Sequence, residues 1–281
     1  MVAHQSRAGS ARSRRRWLGS LVFYLALAAA LVLVMFPYYW MLASSLKTKV
    51  DNITFPLKLI FTPTLSNYVS VFVENRIYLV LLNSLIVGVG ATGLGLLLGL
   101  PAAFAIARFR IEAFGVIVLV ARMLPGIAML VPWYIMFIRL KLVGTHAALV
   151  FSHLSVTLPL IIWVSIGFFE DLPGELMDAA AIDGCSLFGA FWRVALPLVR
   201  PGVAAAAVLA FISSWNNFLY SLILGGSIKM APVAAYNMMS IYDLNWGSVN
   251  AAAVIISWPV ILLSLPFGKN LVRGLTAGAV K

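Results

Sequence analysis

Glu170-Asp-Leu-Pro-Gly-Glu-Leu-Met-Asp178-Ala-Ala-Ala-Ile-Asp183-Gly184-Cys-Ser-Leu-Phe-Gly-Ala-Phe-Trp-Arg-Val-Ala-Leu-Pro197-Leu-Val-Arg-Pro201 is the stretch on which the reading of this chain turns. Five of the chain's nine acidic residues (Glu170, Asp171, Glu175, Asp178 and Asp183) fall inside it. Its flanks are long apolar runs. The chain therefore presents something polar here, between two segments that are not.

Working outward, 62% of the 281 residues are hydrophobic and 10% are charged, against about 25% charged in an ordinary soluble domain. The mean hydropathy is +1.00. These values describe an integral membrane protein. The formal charge of +11 excludes a nucleic-acid role by its arrangement: the basic residues flank apolar runs instead of forming one stripe, so membrane lipid is their partner. One cysteine, Cys185, excludes a disulfide framework and a cysteine metal cluster. His146 and His153 have no carboxylate near them in sequence, so no metal site is expected.

A spanning helix needs about 20 mainly apolar residues. Six stretches qualify: Leu18 to Leu42, Leu79 to Ile106, Phe114 to Ile138, Ala147 to Phe169, Pro201 to Leu224, and Val249 to Phe267. The first follows Arg7, Arg12 and Arg14 to Arg16, like a signal peptide. Its apolar run exceeds the about 7 to 15 residues of a signal, so it is read as a retained anchor. The expected fold is an all-α membrane protein of six transmembrane helices with a cytoplasmic loop between helices 4 and 5. The divisions are a basic N-terminal tail over 1–17, a membrane domain over 18–267 with its loop at 170–200, and a C-terminal tail over 268–281.

With six spans, both termini share a side with the acidic loop. That side carries twelve Lys and Arg in 69 residues, the other seven in 68, and the excess marks it as cytoplasmic. On the outer side, Thr62-Pro-Thr-Leu-Ser-Asn67 predicts a turn and then a short helix capped by Thr64 or Ser66. Asn52-Ile-Thr54 matches a glycosylation acceptor by chance.

Gly88-Val-Gly90-Ala-Thr-Gly93 matches a dinucleotide fingerprint formally, but lies inside an apolar run beside Gly95-Leu-Leu-Leu-Gly99, where small residues let two helices approach. No phosphate-binding Gly-x-x-x-x-Gly-Lys-Ser/Thr occurs. Pro125 and Pro132 in the third span free backbone carbonyls that a neighbour or a water-lined cavity must satisfy. Arg122, the one charge within any span, lies about 12 Å along its helix. It either snorkels to the interface or faces a cavity. His153, Thr157 and Pro159 in the fourth span predict interhelical hydrogen bonds and a kink. Trp215, Asn216 and Asn217 are expected mid-helix in the fifth span. Adjacent amides are costly there unless paired, and a flat ring with amides also suits a sugar.

Within the opening stretch, Pro173 and the run over 175–182 predict one short helix, Asp183-Gly184 a turn, and the residues to Leu196 a second helix. Asp178 beside Ala179, Ala180 and Ala181 makes a small-residue surface rimmed by carboxylates, suited either to docking another protein or to a solvated loop whose acids keep it out of the bilayer. Asp178-Ala-Ala-Ala-Ile-Asp183-Gly184-Cys185, followed by Leu196-Pro-Leu198 and Pro201, resembles the Glu-Ala-Ala-x-x-x-Gly cytoplasmic loop of ABC importer permeases, in its carbohydrate-uptake form. Pro125 to Trp133, Trp215-Asn216 to Phe218 and Gly274 to Lys281 fit the same subfamily. The departures are Asp178 for the motif's glutamate, Cys185 for alanine, and Asn217 where many relatives have an acid.

The resemblance implies a permease subunit that moves a mono-, di- or oligosaccharide or a glycerophospho compound by alternating access, without catalytic residues of its own. Implied partners are a second homologous permease, a dimer of ABC ATPase subunits and an extracytoplasmic substrate-binding protein, all at a bacterial inner membrane. ATP and Mg belong to the ATPase, leaving no cofactor on this chain. The coupling loop is implied at Asp178, Ala179, Ala180, Asp183 and Gly184, and a C-terminal ATPase contact at Gly274, Leu275 and Gly278. Arg122, Trp215, Asn216 and Asn217 are the expected substrate pathway. The competing reading is a stand-alone ion-coupled carrier. A membrane-embedded enzyme lacks a basis, since no span contains Asp or Glu.

Overall fold

The computed structural model describes residues 5–239 and 245–276, with side chains over 19–239 and 245–268. Fourteen α-helices and one π-helical turn account for the regular structure of the described residues, and no strand is among them. In order these are α1 (Gln5–Ser45), α2 (Lys49–Ile53), α3 (Ser66–Val73), α4 (Ile77–Phe109), α5 (Glu112–Met123), α6 (Gly126–Arg139), α7 (His146–Glu170), α8 (Gly174–Ile182), α9 (Leu187–Ala190), a π-turn over Phe191–Ala195, α10 (Leu196–Leu198), α11 (Arg200–Trp215), α12 (Leu219–Leu224), α13 (Ala231–Asn237) and α14 (Trp246–Thr276).

Four of the expected spans are single helices close to their predicted bounds: Gly19–Ser45, Ile77–Phe109, His146–Glu170 and Trp246–Gly268. The other two are broken. The third divides at Leu124-Pro125 into α5 and α6, which meet at 87°. Proline drives the preceding residue out of the helical region, and Leu124 is extended at φ −63°, ψ 126°. The fifth, expected as one helix from Pro201 to Leu224, stops at Trp215 and restarts at Leu219. Here the Asn217 side-chain oxygen accepts from the Tyr220 N–H at 3.1 Å, so it caps the new helix instead of riding within an old one. α11 is also bent by 82° from the Leu187–Leu198 segment before it. The chain is thus a membrane protein with four helices long and apolar enough to cross a membrane, and up to six spans if the bent pairs Glu112–Met123 with Gly126–Arg139 and Leu187–Leu198 with Arg200–Trp215 each count as one.

Two compact units are present. In the unit of residues 1–69 and 245–254, the loop after α1 is held by Asn67, whose amide donates to the carbonyls of Ser45 at 2.9 Å and Lys47 at 2.8 Å. Thr64 fulfils the expected cap, its hydroxyl accepting from the Ser66 N–H at 3.2 Å. The short α2 was not anticipated; Thr48 caps it through the Asp51 N–H. The Lys58 ammonium, then the Thr48 hydroxyl, hold the Asp51 carboxyl below the usual carboxylate range.

The unit of residues 70–244 and 255–281 contains the packed helices α4, α7 and α11. The glycines of α4 do what the close-packing reading requires. A Cβ on Gly88 would stand 2.8 Å from the Phe211 ring, and one on Gly95 2.6 Å from Ile161. Between α7 and its neighbours the polar residues pair across the core: His153 Nδ1 lies 2.8 Å from the Ser214 hydroxyl and Nε2 3.4 Å from that of Ser221. Thr157 donates to the Ala91 carbonyl at 3.3 Å. His153→Leu keeps the volume but strips this node, and each interhelical bond of this kind contributes on the order of 0.6–2 kcal/mol. The variant is expected to unfold at lower detergent denaturant than the parent. Identical midpoints would remove His153 as a fastening point.

Candidate functional site

Two places in the larger unit gather the predicted residues. The first is the segment between α7 and α11. Pro173 starts α8 because its missing N–H costs nothing at a helix entry, and Gly184 ends it. Gly184 has φ +80°, its N–H donates to the Ala181 carbonyl, and the Cys185 N–H reaches back to that of Ala180 at 2.9 Å. This pair of bonds is the Schellman termination, which glycine favours at this position. Ser186 then caps α9 through the Gly189 N–H at 3.1 Å. Two helices and a glycine turn therefore stand where the sequence predicted them.

Asp178, Ala179, Asp183 and Gly184 are exposed. Ala180 is not: it is 6% exposed and packs with Met177 into a core containing Phe104, Phe169 and Phe191. Its role is to seat α8, since a helix two turns long must turn one face inward. Sequence reasoning missed the apolar part of the exposed face. Ile182 is 87% and Phe188 70% exposed, on either side of the Gly184 turn. It also missed Arg108 at the end of α4, whose Nη2 donates to Asp178 Oδ1 at 2.9 Å. The basic residue sits seventy positions upstream, with no local signal linking it to α8. Both groups are well exposed, so the pair contributes at most about 1 kcal/mol. Arg108→Ala is expected to leave the unfolding midpoint nearly unchanged. A large loss of stability would mean that the pair holds the fold and not the angle of α8.

The second place lies where the two broken spans approach each other. A cavity of about 400 Å³ is lined by Arg122 and Leu124 of the α5–α6 elbow, Gly126 and Met129 of α6, Ser155, Val156 and Leu160 of α7, and Ser213, Asn217 and Tyr220 at the α11–α12 break. Arg122 thus faces a cavity. Its guanidinium carbon lies 4.8 Å from the centre of the Trp163 ring. Of the three other pathway candidates, Asn217 lines the cavity. Trp215 is 1% exposed, its ring tilted against that of Phe211 at 5.5 Å between centres, and its indole N–H lacks a hydrogen-bond partner among the described residues. Asn216 is exposed outside the cavity lining. The helix break separates the three neighbours, because consecutive residues at a break point in different directions. Ser155 and Tyr220 were not singled out from sequence, as an isolated hydroxyl in an apolar run carries no signal.

Gly274 and Leu275 fall in the last turn of α14, where side chains are outside the described residues, and Gly278 lies outside them altogether. Among the described residues, no group of three or more His, Cys, Asp or Glu is arranged to hold a metal ion.

Residues 95–276, which include α8, the Gly184 turn and both helix breaks, match the family described as binding-protein-dependent transport system inner membrane component. The chain belongs to that family. It is a permease of the ABC importer class, a transport subunit and not an enzyme. The permease is 37% identical to the probable ABC transporter permease protein y4oR of Sinorhizobium fredii, over 97% of this chain and 98% of that one. It is 33% identical to the sulfoquinovosyl glycerol transport system permease protein SmoH of Agrobacterium fabrum, over 91% and 92%. Its fold is similar to that of a chain in a bacterial ABC transporter involved in the import of the acidic polysaccharide alginate. There the TM-score is 0.76 at 19% identity, covering 91% of this chain and 97% of that one.

Proposed function

We propose that the permease forms, with a second homologous permease, the sugar pathway of an ATP-driven importer in a bacterial inner membrane. An extracytoplasmic binding protein delivers the sugar, and a dimer of ABC ATPase subunits, which carry the ATP and Mg, drives alternating access. The observation that carries the reading is the α8–Gly184–α9 element, an exposed helical hairpin with an apolar tip at Ile182 and Phe188 and carboxylates at Asp178 and Asp183. A surface of this kind is suited to a cleft on a partner, with an apolar centre and a charged rim. Asp178, Ala179, Asp183 and Gly184 form the ATPase-facing part, while Ala180 anchors it from within.

The tails over 1–17 and 268–281 and the loop over 170–200 lie on the cytoplasmic side in this reading, supported by the excess of Lys and Arg there. Gly274, Leu275 and Gly278 make the second ATPase contact. Sugar as cargo is supported by the relative named for sulfoquinovosyl glycerol transport.

Affinity purification of the tagged permease from its native membrane tests the assembly. A second permease and an ATPase are expected to copurify, and ATP hydrolysis is expected to rise with sugar-loaded binding protein. A permease that purifies alone and transports on an ion gradient would establish the carrier reading instead.

A further inference from the structure

We infer that the cavity at the two helix breaks is a cargo site for a sugar bearing a negative charge, with Arg122 as the residue that receives it. The inference rests on the pathway reading above and adds the class of cargo. Three observations carry it. Arg122 is the one charge inside any of the six apolar stretches read from the sequence, and a cation at that depth is costly unless something compensates it. No carboxylate lines its cavity, so the chain itself supplies no counter-charge there. The guanidinium lies over Trp163, which occupies the face of the ion; its five N–H groups lie in the plane and remain directed to the rim, where a carboxylate, sulfonate or phosphate can be held by two at once.

The rest of the cavity suits the uncharged part of such a molecule. Ser155, Ser213, Asn217 and Tyr220 bring hydroxyl and amide groups from three helices to one space, matched to sugar hydroxyls, and Met129, Val156 and Leu160 bring apolar surface. A volume of about 400 Å³ lies in the range of small-molecule sites, about 300–1,000 Å³. Both helix breaks contribute because they let side chains from two segments converge without a continuous helix between them.

The test uses the complete importer with its binding protein in vesicles loaded with ATP. The probes are labelled glucose set against glucuronate, glucose 6-phosphate and glucose 6-sulfonate, which separate carboxylate, phosphate and sulfonate. At least one anionic probe is expected to enter at least about tenfold faster than glucose. In Arg122→Gln the maximal rate for that probe should fall roughly ten- to hundredfold with little change in half-saturation, which the binding protein sets. Arg122→Lys should retain an intermediate rate.

Uptake of glucose alone, or an Arg122→Gln variant that matches the parent, overturns the inference while leaving the importer reading intact. So does an equal loss for glucose and the anionic probe, which would mark Arg122 as a structural partner of the second permease. If none of the four probes enters, the inference fails. The importer reading fails with it only if the complex also lacks ATP hydrolysis stimulated by the binding protein.

Discussion

Gly184→Val is expected to leave the permease inserted and assembled yet abolish the rise in ATP hydrolysis that loaded binding protein produces. No atom lies within 4 Å of a Cβ built at Gly184, so the defect is conformational and not a clash. At φ +80° a β-branched side chain is strained, at a cost on the order of 1–3 kcal/mol. The cheapest relief is to abandon the left-handed turn. The N–H bonds of Gly184 and Cys185 to α8 then go, and α9 leaves α8 at a different angle. Gly184→Asn supplies the control, since asparagine tolerates this region, and should keep most of the stimulation. Normal stimulation in the valine variant would sink the assignment of this hairpin as the coupling element.

Gly202→Val is expected to have the largest effect on stability. A Cβ there would stand 2.3 Å from Phe168 Cγ and within 2.6 Å of both adjoining ring carbons. A ring cannot yield as the tip of an isoleucine can, because its base is tied to the α7 backbone and it packs against the core that holds Phe169 and Phe191. Overpacking of this kind costs about 1–3 kcal/mol, so the unfolding midpoint in detergent should fall clearly. Gly115→Ala is the reference: nothing lies within 4 Å of its Cβ, and removing a helix glycine stabilises by about 0.5–1 kcal/mol. Phe168→Ala combined with Gly202→Val should regain part of the loss. Equal midpoints for Gly202→Val and Gly115→Ala would mean that α7 and α11 do not pack as described.

What was legible from sequence follows the range over which each signal acts. The four unbroken spans, the Gly184 turn and the Thr64 cap each depend on consecutive residues, and all three stand where they were expected. The Arg108–Asp178 pair depends on where α4 ends in space, which no window of sequence contains. The third span's prolines announced freed backbone carbonyls but not the 87° between its halves. The fifth span misled, because Asn217 was weighed as a burden inside a helix when it is the cap that starts one. Trp215, Asn216 and Asn217 then separated, and the cavity drew its other members from helices far away in the chain.

The π-turn at Phe191–Ala195 has a consequence for how the hairpin is geared to the membrane. It places one surplus residue between the α8–α9 segment and α11, and the inward positions run Phe191, Ala195, Val199 while Leu198 is 51% exposed. A plain α-helix would bring residue 198 round to the core instead. The surplus residue therefore sets the rotational phase in which the segment arrives at the 82° bend before α11. The number of residues in this stretch, more than their identity, decides which side of α11 faces α4 and α7.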